Sequence, residues 1–154
     1  MKNAILFVVL LGSISLFAQS TAIRKAYRDA TKSEEKAKTF YNLVDDVSQS
    51  DKAVMVAYKG AGKMLLARYA PLTKRKPKIK EAIEWIEKAV KADSDNVEIR
   101  LLRLSVQENL PKFLGYNDNI EEDKKFVKDA LPNIKDKELV EMINGYFTEF
   151  SKKK

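Results

Sequence analysis

The chain predicts an all-α protein of about seven helices packed as antiparallel helical hairpins, and three observations carry that expectation. Apolar residues recur at intervals of three and four along most of the sequence. No segment alternates apolar and polar with the period of two that a half-buried strand requires. The breaks between periodic segments are short and carry capping or stopping residues such as Ser33, Pro71, the Asp93–Asn96 stretch and Pro132.

Taken in order, a first helix carries Ile23, Ala26, Tyr27 and Ala30. Ser33, followed by Glu34 and Glu35, opens a second with Ala37, Phe40, Tyr41, Val44 and Val47. Asp51 favours the start of a third, which bears Val54, Tyr58, Ala61, Leu65 and Tyr69 until Pro71 stops it. Its centre reads KGAGK, Lys59 to Lys63, and each glycine costs a helix about 1 kcal/mol relative to alanine. Close approach of a neighbouring helix would offset that cost. A phosphate loop does not fit there, because Ala57 stands at the first glycine position, Met64 at the hydroxyl position, and no strand precedes them.

Pro77 is placed to open a fourth helix bearing Ala82, Ile83, Trp85, Ile86, Ala89 and Val90. After the Asp93–Asn96 break comes an amphipathic fifth with Val97, Leu101, Leu104 and Val106. Asn119 as N-cap with Glu122 three residues later forms a capping box for a sixth, which carries Phe126, Val127, Ala130 and Leu131 and ends at Pro132. The seventh shows a stripe of Leu139, Ile143, Tyr146, Phe147 and Phe150.

The first residues bear on compartment. Lys2, an apolar run from Ala4 to Phe17 and the small residue Ala18 predict a cleaved secretory signal over residues 1–18, the run being shorter than the roughly 20 residues that span a bilayer. The Leu16–Gln19 junction resembles those of bacterial exported proteins. Residues 19–154 would then form one all-helical domain, periplasmic or released, with no transmembrane span and a frayed basic tail at Ser151–Lys154.

Absent residues limit the chemistry. Without cysteine there is no disulfide framework, thiolate metal site or lipidated cysteine, and without histidine the usual general base near neutral pH is missing. Carboxylates such as Glu81, Glu84 and Glu87 alternate with Lys80 and Lys88 as a solvated helix face would. The expectation is a protein that is not an enzyme and has no cofactor or metal. A calcium loop over Asn117–Asp123 lacks the ligand spacing of an EF-hand.

Charge is lopsided. From Lys52 to Lys80 lie Lys59, Lys63, Arg68, Lys74, Arg75, Lys76 and Lys78 with no acid among them. Such a surface attracts anionic partners such as phosphorylated lipids, envelope polysaccharides or acidic proteins, while export argues against nucleic acid. The same lysines would serve equally as solvated surface.

One interruption stands out between the fifth and sixth helices. Pro111 ends or kinks a helix and Gly115 permits a tight turn, which brings Phe113, Leu114 and Tyr116 either back over the end of a helix pair or out as an aromatic contact.

The stretch EAIEWIEKAVKADSDNVEIRLLRL, Glu81 to Leu104, resembles the second helix of a tetratricopeptide repeat and the first helix of the next, with Ala82, Ile86 and Ala89 at its small and large packing positions. Arg100–Asp123 is similar to sequence from secreted bacterial helical proteins. The first resemblance implies a superhelical scaffold that binds peptides or partner proteins, and it carries over no ligand-holding residues. The expected function is therefore an exported, non-catalytic scaffold for protein–protein interaction. Its candidate contact residues are Phe113, Tyr116, Lys74, Arg75, Lys76 and Lys78. The alternative is a basic envelope-associated protein that binds anionic lipid or polysaccharide.

Overall fold

The computed structural model describes residues 20–151, with side chains described to residue 149. The expected signal segment, Lys152–Lys154 and the Phe150 side chain lie outside that range. Seven helices follow one another: α1 over residues 20–30, α2 (Glu34–Asn42), α3 (Ala53–Ala67), α4 (Leu72–Ala92), α5 (Val97–Asn109), α6 (Ile120–Ala130) and α7 (Lys137–Ser151). Two 3-10 turns, Lys112–Leu114 and Leu131–Asn133, flank α6. There is no strand among the described residues, so the protein is all-α.

Local chemistry sets several of the boundaries. Ser33 accepts the backbone N–H of Lys36 at the start of α2, with Glu34 and Glu35 in its first turn. Asn96 takes the N–H groups of both Glu98 and Ile99 at the start of α5. Asp136 does the same for Glu138 and Leu139 as α7 begins.

Three expectations are corrected at such ends. Pro77 does not open α4. That helix begins at Leu72 behind Pro71, and Pro77 sits inside it, where its missing N–H leaves one helical bond unmade. Asp51 caps no helix, because its carboxylate accepts the N–H of Ser48 instead. The Asn119 side chain makes no cap bond either, accepting from Gln107 Nε2 while Glu122 turns to Arg100.

The glycines of α3 show what they are for. A Cβ on Gly60 would lie 2.7 Å from Ile86 Cγ1 and 3.1 Å from the Ala82 carbonyl, so α3 and α4 meet almost backbone to backbone. A Cβ on Gly62 would press on Tyr41 and Phe40 of α2. Lys59 stands over the Trp85 ring and Lys63 pairs with Glu81 at 2.7 Å, so numbers rise along α3 as they fall along α4. The two helices are antiparallel. The same reversal relates α5 and α6, where Arg103 meets Asp123 and Gln107 meets Asn119.

Helix α5 is the centre of the molecule. Every residue from Glu98 to Gln107 is buried, including Glu98, Arg100 and Arg103. It packs against α3, α4, α6 and α7, and so it lacks the solvated face that an amphipathic reading assigns it. Around it Ile86, Ile99, Leu101, Leu102, Leu104 and Ile143 form the core, joined by a cluster of Tyr27, Phe40 and Tyr58 with ring centroids 5.3 to 6.1 Å apart. Truncation of a core ring such as Phe40 costs about 3–5 kcal/mol. No helix among the described residues is long and apolar enough to cross a membrane.

Candidate functional site

The interruption after α5 folds onto α4. Leu110 leaves the helix in an extended conformation, Lys112–Leu114 makes one 3-10 turn, and Gly115 closes it at φ 68°, where a side chain would be strained. Tyr116 then donates its hydroxyl to Glu87 of α4. Burial first, and the Glu87 carboxylate second, push the Tyr116 phenol well above its ordinary value. Glu87 also accepts from Arg103 at 3.3 Å, so the turn is tied to both α4 and α5.

This fold-back forms a shallow groove of about 420 Å³ between the turn and the N-terminal half of α4, lined by Lys76, Pro77, Ile79, Lys80, Ile83 and Leu114. Beside Leu114, Phe113 is 86% exposed, and one turn of α4 before Lys76, Leu72 is 79% exposed. These two are the most exposed large apolar side chains among the described residues. Tyr116, in contrast, packs half-buried against the core. The two candidate aromatics therefore part company, Tyr116 fixing the turn and Phe113 standing in solvent.

The four basic candidates divide as well. At 100° per residue, Lys76 and Lys80 share the flank of α4 that carries Leu72 and Ile83, whereas Lys74 and Lys78 lie roughly 160° around the helix from Lys76. That second flank is shared with Trp85, which faces Lys59 and Lys63 of α3. Arg75 is half-buried and donates to the Ala70 carbonyl at 3.1 Å, closing the turn between α3 and α4. Only Lys76 of the four lines the groove, and Lys80 joins it.

Two buried ion networks lie behind this surface. Arg24 grips both oxygens of Glu98 at 2.7 Å and reaches Asp136 at 2.8 Å, while Tyr58 donates to the same Glu98. Arg103 grips both oxygens of the fully buried Asp123, and Arg100 contacts Asp123 and Glu122. The Glu98 bond above all holds the Arg24 guanidinium charged, its pKa raised above an already high value. Glu98 and Asp123 thus sit in separate networks, each clamped by arginine. Neither is placed as a free general acid or base. Asn119, Glu122 and Asp123 are likewise turned toward Gln107, Arg100 and Arg103, while Glu121 stays exposed.

Arg24, Glu98 and Arg103 go unremarked in the sequence, and Asp123 figures there only in the calcium loop. The available signal is the pair Arg100 and Arg103 set among Leu101, Leu102 and Leu104, since arginine within an apolar helix needs a carboxylate from elsewhere. Compared with known proteins, the chain matches no family model, no curated protein and no solved structure.

Proposed function

We propose that the protein is an exported, non-catalytic helical scaffold of tetratricopeptide-like kind that binds a partner protein through the face made by α4 and the Lys112–Leu114 turn. The observation that carries this is the groove lined by Leu114 and by Pro77, Ile79 and Ile83, together with the exposure of Phe113, the residue before Leu114. A rigid helix floor and an exposed aromatic anchor are the features that concentrate binding energy in small interfaces. Engagement of the most buried carboxylates by Arg24 and Arg103 supports a structural role for them. The apolar run from Ala4 to Phe17, followed by the small residue Ala18, supports export.

A second reading, association with anionic lipid or polysaccharide, is supported by the exposed Leu72 at the start of a helix that also exposes Lys74, Lys76, Lys78 and Lys80. Capture from envelope extract at low and at about 0.5 M salt, where surface charges are screened, tests the pair. Under the first reading one protein is retained at both salts and lost from a folded Phe113→Ala variant. Retention of lipid or polysaccharide alone, and only at low salt, overturns it in favour of the second.

A further inference from the structure

The groove's chemistry narrows the partner. Its floor is aliphatic: Pro77, Ile79 and Ile83 from α4 and Leu114 from the turn. Along one edge stand Lys76 and Lys80, spaced one helical turn apart, with neither paired to an acid among the described residues. Long lysine side chains of this kind add methylene surface to an apolar wall while keeping the ammonium group in water. Exposed Lys112 opens the turn itself. Two acids belong to the same flank of α4. Glu87 is engaged by Tyr116 and Arg103, and Glu84 lies one turn beyond Lys80. The local balance is positive.

Resting on the reading of this face as the contact surface, we propose that the groove takes an acidic amphipathic segment of a partner protein, its apolar side chains on Ile79, Ile83 and Leu114 and its carboxylates on Lys76 and Lys80. From Leu72 to Ile83 the α4 flank runs about 16 Å, the length of roughly eleven helical residues. Helix-in-groove docking uses apolar anchors at i, i+3 or i+4, and i+7 with polar groups at the rim, which is the pattern this flank complements. A bilayer is the less suited occupant. Its surface meets protruding groups rather than a concave strip, and its long-range field would act on Lys74 and Lys78 as strongly as on Lys76 and Lys80.

That difference supplies the test. A phage-displayed library of randomised peptides of about twelve residues, long enough to span the flank as a helix, is selected on the immobilised protein. The best clone is then titrated by fluorescence anisotropy against wild type, Lys76→Glu/Lys80→Glu and Lys74→Glu/Lys78→Glu. The two variants change net charge equally, and all the substituted lysines are exposed. Circular dichroism confirms that each is folded. In parallel, wild type is mixed with vesicles made with and without anionic lipid.

The expected result is enrichment of segments combining acids with large apolar residues. Their affinity falls about tenfold or more in Lys76→Glu/Lys80→Glu and less than about threefold in the other variant, because reversed charges act chiefly on the partners they touch. Selected segments without acids, equal losses in both variants, or binding to anionic vesicles in place of peptide would each overturn the inference. The functional reading is judged separately. If an envelope protein is captured through Phe113 while selection shows no acidic bias, the contact surface stands and the acidic segment falls. If capture is indifferent to Phe113, the reading of the face itself falls and this inference with it.

Discussion

Arg103 and Asp123 meet as a two-pronged ion pair at the interface of α5 and α6, Nε donating to Oδ2 at 2.7 Å and Nη2 to Oδ1 at 2.8 Å, with Asp123 wholly buried. Arg100 approaches the same carboxylate from the preceding turn of α5. Two guanidinium groups are thus kept inside the fold by one acid. Asp123→Ala leaves both without that partner and is expected to cost about 3–5 kcal/mol, read as a lowered midpoint in urea unfolding. A loss below about 1 kcal/mol would mean that Glu87 and Glu122 suffice.

Two glycine substitutions should act in opposite directions. Gly60→Ala gains helix propensity of about 1 kcal/mol but drives a methyl into Ile86 and the α4 backbone, so a net loss of about 1–3 kcal/mol is expected. Gly145→Ala adds its methyl in α7 where nothing lies within 4 Å, and it should stabilise by about 0.5–1 kcal/mol. Thermal melts of the pair test whether α3 and α4 are as close as described.

Stability should be nearly flat between about pH 5 and 9, because the chain has no histidine to titrate there. On the acid side, burial tends to raise the Asp136 carboxyl. Bonds from Arg24 and from the Leu139 and Glu138 N–H groups outweigh it and leave the pKa below the ordinary value. Its contribution is present above the unfolded value and is lost as pH falls through the folded one. On the alkaline side, burial and the Glu98 charge raise the Tyr58 phenol, so its contribution is complete below about pH 10 and lost as pH rises beyond that. In urea unfolding across pH, Asp136→Asn should flatten the acid limb and Tyr58→Phe the alkaline one. Unchanged limbs would contradict the assignment.

The turn should separate stability from binding. Phe113→Ala removes a side chain in solvent and is expected to change stability by less than about 0.5 kcal/mol. Tyr116→Phe removes a donor to Glu87 and is expected to cost about 1–2 kcal/mol. If the costs are reversed in denaturant unfolding, the turn is seated differently from the description above.

Much of the fold was legible because helical periodicity survives wherever a helix keeps a solvated face. The stripe of Leu139, Ile143 and Tyr146 in α7 and the cap at Ser33 both stand where the pattern puts them. Pro77 misled because proline favours the first turn of a helix, and nothing in the local sequence shows that Leu72 has already begun α4 and that the helix runs on past the bond Pro77 leaves unmade. Helix α5 misled differently: enclosed on all sides, it buries its arginines by pairing them with acids on other helices, which spacing along one helix does not disclose. At the candidate site, composition picked out both the basic run and the aromatic turn. It took the fold to bring Leu114 into one groove with Ile83 and to divide Lys76 from Lys74 and Lys78.

The central claim is that the face at Phe113 is where a partner binds. A photoreactive phenylalanine analogue at position 113, compared with the same analogue at exposed Leu43 on the end of α2, tests it in intact cells. Crosslinking of one protein species from position 113 and not from position 43 is the predicted result. Crosslinking from position 43 with none from position 113 would place the contact surface elsewhere on the molecule and contradict the account.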